Sequence, residues 1–328
     1  MRKILTLSRV AAVCALSVLT VACGSDDSTS DNTDNGDAAG TTTPADTSSN
    51  GELPTIVVTT NILGDIVTQA VGNLAEVEVV MPVGADPHDF APSARQAESM
   101  ENADLLVTNG AGFEEGMREV IEQVESSGTP VFSFADQVEL IDVSGEEHIG
   151  DDPHIWNDPS RMITAVEAFG VEFASLGGVD AAAVEAQVQS YVDELTALDA
   201  EMDATLSTTP AEQRVLVTNH VVFGYFADRF SFEVVGAVIP SSTTNAEPST
   251  AEVEALVALI EQEQIPAIFA DTSSPSRLAG AIASSASGDV QVVALYSESL
   301  GEPGSGADSY LTMMATNATL IADALIPA

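Results

Sequence analysis

Four histidines occur in this chain of 328 residues. Three of them lie in segments built to turn. His88 sits in Gly84-Ala85-Asp86-Pro87-His88-Asp89-Phe90, and His154 in Asp152-Pro153-His154-Ile155-Trp156-Asn157-Asp158-Pro159. His220 closes the run Val215-Leu216-Val217-Thr218-Asn219-His220. A neutral imidazole nitrogen is the commonest protein donor to borderline metals such as zinc. Asp271 follows Ile268-Phe269-Ala270 much as His220 follows its own apolar run. Three imidazoles and one carboxylate make a closed four-coordinate set suited to Zn2+, whereas Mn2+ prefers more oxygen. The candidate metal ligands are therefore His88, His154, His220 and Asp271, although spacing alone does not single out one acid among 51.

The histidines are 66 residues apart, so only a fold can bring them together. Short apolar runs at 55–60, 76–81, 104–109 and 130–134 read as buried strands, with helical patterns at 62–71, 94–102 and 114–124 between them. This alternation predicts a parallel sheet with helices on both faces. Asp158 and Pro159 suit the cap and first turn of a further helix. From Val179 to Leu206 apolar residues recur every three or four positions without Gly or Pro, which predicts one helix about 40 Å long. The alternation then resumes, with strands at 214–218, 232–238, 267–270 and 290–295. Helices are expected at 274–285 and 308–325, and from a capping box at Ser249 and Glu252. The fold class is α/β: two lobes, each a mostly parallel sheet with flanking helices and its own core, joined by one long rigid helix. The expected boundaries are 54–178, 179–208 and 209–328. Ligands of open α/β sheets bind beyond the carboxyl ends of the strands. Two candidate ligands precede the long helix and two follow it, which places the site in the cleft between lobes.

The ends of the chain and its charge narrow the setting. Arg2, Lys3 and Arg9 precede an apolar stretch too short to span a bilayer, which reads as a secretion signal over residues 1–22. Thr20-Val21-Ala22-Cys23 resembles a bacterial lipobox and implies a lipid anchor on Cys23, outside the cell membrane. Residues 23–53 carry Asp, Ser, Thr, Asn and Gly but almost nothing that buries a core, so an acidic disordered tether is expected. Cys14 leaves with the leader and Cys23 is lipidated, so a site in the folded part must use nitrogen and oxygen. Beyond the leader six arginines and no lysine face 51 acids. Such a surface repels nucleic acid and anionic lipid headgroups. The loop Asn109-Gly110-Ala111-Gly112-Phe113 lacks the third glycine of a nucleotide loop.

These segments carry a family resemblance. His88, Phe90, Pro92 and Ser93, with Ala103-Asp104-Leu105 and Asn109-Gly110, resemble the first signature of zinc/manganese solute-binding proteins of ABC transporters. The segment from Asp152 to Pro159 is similar to their second, and Asn219-His220 with Phe223-Gly224-Tyr225-Phe226-Ala227 to their third. Ala246-Glu247-Pro248-Ser249 and Ile268-Phe269-Ala270-Asp271 resemble the fourth and fifth. The resemblance implies two Rossmann-like lobes joined by one long helix, with one metal in the cleft between them and ligands at His88, His154, His220 and Asp271. Manganese members usually have glutamate at the third ligand, so His220 favours zinc. Zinc members often carry a histidine-rich loop before the second signature. Here that stretch is short, and His148 reads as a solvated loop residue or a remnant metal collector.

The expected function is capture of a divalent metal, zinc before manganese, by a monomer that delivers it to a membrane ABC permease. A zinc-dependent hydrolase is a second class, but the chain has no His-Glu-x-x-His segment. A metal-stabilised surface adhesin is a third. Trp156 is expected to pack beside the site, Asn219 to orient a ligand, and Glu247 to enter a helix or touch the site from outside.

Overall fold

The computed structural model describes residues 53–143, 150–274 and 276–326. The leader, the tether with Cys23 and His148 lie outside them. Among the described residues two four-stranded sheets form, and every strand pair in them is parallel. The first holds β1 (Thr55–Val58), β2 (Glu76–Val79), β3 (Leu105–Thr108) and β4 (Val131–Ser133) in the order β2-β1-β3-β4. The second holds β5 (Val215–Thr218), β6 (Glu233–Ala237), β7 (Ala267–Asp271) and β8 (Gln291–Leu295) in the order β6-β5-β7-β8. The two halves thus repeat one strand order, a likeness that no sequence repeat announces. In each, the chain leaves the first strand to one side and returns on the other. Such a switch point opens a crevice at the carboxyl ends.

The central strands are apolar throughout because both of their faces are covered. Alternate residues serve different layers. Ile56 and Val58 of β1 and Leu105 and Val107 of β3 enter the main core, while Val57 and Leu106 pack outward with Met100, Met117 and Val124. Likewise Phe269 enters the main core, and Ile268 and Ala270 pack outward with Leu256, Ile260 and Ile282.

Nine α-helices are described. They are α1 (Asn61–Val71), α2 (Ala94–Glu101), α3 (Arg118–Ser127), α4 (Pro159–Ser175), α5 (Ala181–Leu206), α6 (Gly224–Phe230), α7 (Thr250–Glu263), α8 (Arg277–Ser285) and α9 (Tyr310–Leu325). Polar side chains begin most of them. Asp158 accepts from the backbone of Ser160 and Arg161 ahead of α4, with Pro159 in its first turn, and Asp180 caps α5. Ser249 and Glu252 form the expected reciprocal box. Glu247 is exposed and takes no part in it. Two differences from the sequence pattern have local causes. The helix expected from Glu114 begins as a single 3-10 turn and becomes α-helical only at Arg118. Glu114 turns inward instead, accepting from the Thr59 hydroxyl at 2.7 Å and from the backbone of Asn109 at 2.6 Å and Gly110 at 3.2 Å. Helix α6 has no capping side chain to announce it.

Helix α5 spans 26 residues, about 39 Å at 1.5 Å per residue. It buries Val184, Val188, Tyr191, Val192, Leu195, Leu198, Met202 and Leu206 against α1 and α4 of the first half and α9 of the second. Each lobe was expected to have its own core. Instead one buried cluster runs from Ile56 and Val107 through Phe169, Tyr191 and Leu195 to Leu216, Phe269 and Tyr310. The reason is that α9, the last helix of the chain, folds back onto α5 and α1. A shared core should unfold as one unit. Thermal or urea unfolding should give a single transition, and Leu195→Ala, at a fully buried position, should lower stability by about 2–5 kcal/mol. Two separated transitions would contradict the continuous core.

Candidate metal centre

The carboxyl ends of the two sheets bring three imidazoles and one carboxylate together. His88 lies on the connection after β2, and His154 on the turn that leads to α4. His220 lies two residues beyond β5, and Glu298 three beyond β8. Oε1 of Glu298 is 3.0 Å from His88 Nε2, 3.1 Å from His220 Nε2 and 3.5 Å from His154 Nε2. The Nε2 atoms of His154 and His220 are 3.4 Å apart. Four donors placed tetrahedrally at about 2.0–2.1 Å from a zinc ion would stand about 3.3–3.4 Å from each other. Four of the six donor separations thus approach the edges of such a tetrahedron, all four atoms lie within 4.8 Å of one another, and all four residues are 2% exposed or less.

The structure brings the three histidines together, with Glu298 rather than Asp271 beside them. Asp271 Oδ1 accepts from the Ser273 backbone at 2.6 Å and from the Ser273 hydroxyl. Its Oδ2 accepts from the Ser297 backbone at 3.2 Å and the Ser297 hydroxyl at 2.5 Å. Four donors use the roughly four lone-pair sites of a carboxylate, so none is left for an ion. Glu298 has the opposite environment, with Oε1 among the imidazoles and Oε2 without a hydrogen-bond partner. The signal for Glu298 was present in the sequence. It follows the carboxyl end of a predicted strand at a similar remove to His220. Asp152 was also missed, although carboxylate partners of ligating histidines are a common arrangement.

Carboxylates hold the rings of His154 and His88, while His220 is held through its backbone. His154 Nδ1 lies 2.7 Å from Asp152 Oδ1, the atom that also accepts from the His154 backbone at 3.0 Å. Gly224 makes room for that carboxylate, since a Cβ there would collide with Asp152 Oδ2. His88 Nδ1 lies 3.2 Å from Glu115 Oε1, which leaves Nε2 facing the centre. The His88 loop packs over Gly116, where a Cβ would collide with the Phe90 carbonyl. The Thr218 hydroxyl donates to the His220 carbonyl at 2.6 Å. His220 Nδ1 and Asn219 Nδ2 have no partner, so Asn219 is not seen orienting a ligand. Phe113 lines one wall, with its ring centre 5.1 Å from His88 and 4.7 Å from Trp156. Trp156 packs beside the centre, and its indole donates to the Ser297 carbonyl at 2.9 Å.

Burial favours the neutral form of His154, but Asp152 and then Glu298 outweigh it and raise the ring's pKa to about 9. Burial likewise pushes Glu298 up, yet His220, His154 and His88 hold its carboxyl well below the ordinary range. Asp271 is pushed up by burial and by the neighbouring Glu298 charge.

A metal must displace the proton from His154, because only the neutral ring ligates. The ring is protonated below about pH 9 in the metal-free protein, so affinity should rise with pH up to that value. Zinc affinity should climb by roughly tenfold per pH unit between pH 6 and 8, measured by competition against a chelator of known proton dependence. Asp152→Asn should flatten that slope and cost about 10–100-fold in affinity at pH 8. A parent affinity that is flat across this range would contradict the assignment.

Comparison with known proteins shows which family the chain resembles. Residues 56–324 match the family model described as zinc-uptake complex component A, periplasmic. The chain is 31% identical to the zinc-binding protein TroA of Treponema pallidum over 280 residues, 83% of this chain and 89% of that one. It is 26% identical to the manganese-binding lipoprotein MntA of Halalkalibacterium halodurans over 271 residues, 83% of this chain and 88% of that one. The solved structure of the periplasmic zinc-binding protein TroA superposes with a TM-score of 0.78 at 29% identity, covering 84% of this chain and all of that one. The match spans both sheets and every residue of the centre, and the chain belongs to the family of periplasmic zinc-uptake component A proteins, the metal-binding subunits of metal ABC transporters.

Proposed function

We propose that the protein captures one divalent transition-metal ion outside the membrane, zinc in preference to manganese, and delivers it to a membrane ABC permease for uptake. It acts as a monomer held at the outer face of the cell membrane by a lipid on Cys23, and it performs no catalysis. The observation that carries the zinc reading is the spacing of the donors. Among three Nε2 atoms and one Oε1 atom, four of the six separations are 3.0–3.5 Å, close to the edges of a small tetrahedron. The zinc-binding name of the Treponema pallidum relative supports the same reading.

One observation favours manganese. Glu298 Oε2 is buried without a partner and would offer a second oxygen to an ion that takes more donors. The Halalkalibacterium halodurans relative is named manganese-binding, and also a lipoprotein, which supports the anchor. A hydrolytic centre would need a position open to water, whereas four protein donors here complete a tetrahedron in a buried place. A purely structural ion would suit a site within one half. These donors come from both sides of α5, which suits cargo held between two halves and released when they part.

Competitive titration of the metal-free protein with Zn2+ and Mn2+ tests the reading. One zinc per chain should be retained against excess manganese, as determined by elemental analysis, and its binding should raise the melting temperature. His220→Ala should weaken zinc binding by more than the roughly 10–100-fold that loss of an outer partner costs. Parent-like zinc binding by His220→Ala would refute the site. Turnover of an ester or phosphate substrate that disappears with chelator would favour the hydrolase.

A further inference from the structure

Glu298 is a long side chain with few contacts of its own. Beyond the three imidazoles it makes no side-chain hydrogen bond among the described residues. Such a carboxylate could shift to suit ions of different size. Its backbone, however, is held from both flanks. On one side the Ser297 N–H and hydroxyl donate to Asp271 Oδ2 at 3.2 and 2.5 Å, and the Ser297 carbonyl accepts from Trp156 Nε1 at 2.9 Å. On the other side the Leu300 N–H donates to Asn61 Oδ1 at 2.8 Å. The Ser299 hydroxyl oxygen accepts from the Gly84 N–H at 2.7 Å and from Asn61 Nδ2 at 3.1 Å. Asn61 Nδ2 also donates to the Pro82 carbonyl at 3.1 Å. Asn61 therefore joins the Glu298 turn to the base of the loop that carries His88.

We infer that Asp271 and Asn61 are positioning residues that fix the reach of Glu298 and so favour a small tetrahedral ion over one that takes a larger shell. The inference rests on the metal-capture reading above. The side chains of Asn61, Asp271, Ser297, Glu298 and Ser299 are buried, from 1% exposed at Glu298 and Ser299 to 5% at Asn61, whereas Pro82 and Gly84 at the base of the His88 loop are exposed. Hydrogen bonds are stronger in such surroundings, and each buried group left unpaired is costly, so the turn has little freedom to move. Outer partners that hold a ligand's orientation tune both affinity and geometry. Asp271 acts here through Ser297. Its own oxygens are saturated by Ser273 and Ser297 and do not reach for the ion.

The test uses Co2+ as a spectroscopic stand-in for Zn2+, because tetrahedral cobalt absorbs visible light far more strongly than five- or six-coordinate cobalt. The parent should bind one Co2+ with strong bands. Asp271→Asn replaces an acceptor by an amide whose N–H2 faces the donors of one serine. It should still bind one Co2+, but with weaker bands. Its zinc affinity should fall by about 10–100-fold while manganese affinity changes less, so the Zn/Mn ratio narrows by about tenfold or more. Ser297→Ala removes a single hydroxyl and should move both readouts in the same direction. It decides the matter if melting of the metal-free proteins shows that Asp271→Asn does not fold. Parent-like spectra and ratio in the folded variants would overturn the inference. So would loss of metal by Asp271→Asn as complete as that by Glu298→Ala, which would make Asp271 a ligand. A parent chain that takes up neither cobalt nor zinc would instead defeat the capture reading.

Discussion

A carboxylate buried among three imidazoles is stable only while positive charge lies between them. An unpaired charge in a protein interior carries a large desolvation cost. Glu298 is 1% exposed and has Oε1 within 3.5 Å of three ring nitrogens. Asp152 and Glu298 raise the pKa of the His154 ring to about 9, so a proton on that ring is a source of such charge in the metal-free protein. An entering divalent cation replaces that proton and gains all four donors at once. The centre is thus poised between two fillings of the same space, a proton or a metal, and the rest of the fold serves to keep the four donors converged in both.

That convergence depends on two features of the chain. One is the repeated strand order, which opens a switch-point crevice at the carboxyl ends of each sheet. His88 and His154 come from the first half, and His220 and Glu298 from the second. The other feature is the shared core along α5, where α1, α4 and α9 pack on one helix. Hydrogen bonds then cross between the halves around the centre. Asn157 donates to the Val222 carbonyl at 3.0 Å, the Tyr225 hydroxyl to the Asp152 carbonyl at 2.7 Å, and the Tyr310 hydroxyl to the Trp156 carbonyl at 2.7 Å. Nearer the surface, Thr244 donates to Asp86 at 2.7 Å and Asn245 to the His88 carbonyl at 3.1 Å. A continuous core argues for small displacements of these loops on metal exchange, rather than wide separation of two independent bodies.

Much of this was legible in the residues because the relevant signals are local. Apolar runs such as Leu105–Thr108 and Ala267–Asp271, bounded by polar and turn residues, read as strands covered on both faces, and the three-to-four-residue spacing along 184–206 reads as a helix. Histidine is rare enough here that each turn-borne copy stands out. The acid was legible only as one strand-end candidate among many. Among 51 acids, which carboxylate faces the crevice depends on how a turn is held, and that is a matter of tertiary hydrogen bonding. Asp271 occupies the obvious strand-end position, but Ser273 and Ser297 take its lone pairs. Glu298 lies three residues past its strand, in a turn whose shape depends on Asn61, 237 positions earlier in the chain. The shared core was hidden likewise, since an amphipathic pattern in α9 announces a buried face but not its partner.

The central claim is a four-coordinate centre of three imidazoles and one glutamate. X-ray absorption at the zinc edge of the loaded protein tests it most directly. The account requires four nitrogen or oxygen donors at about 2.0–2.1 Å, with outer-shell scattering from three imidazole rings. In Glu298→Ala the three imidazoles should remain, with water in the vacated position and zinc held more weakly than in the parent. Two imidazoles or fewer in the parent, or parent-like zinc affinity in Glu298→Ala, would contradict it.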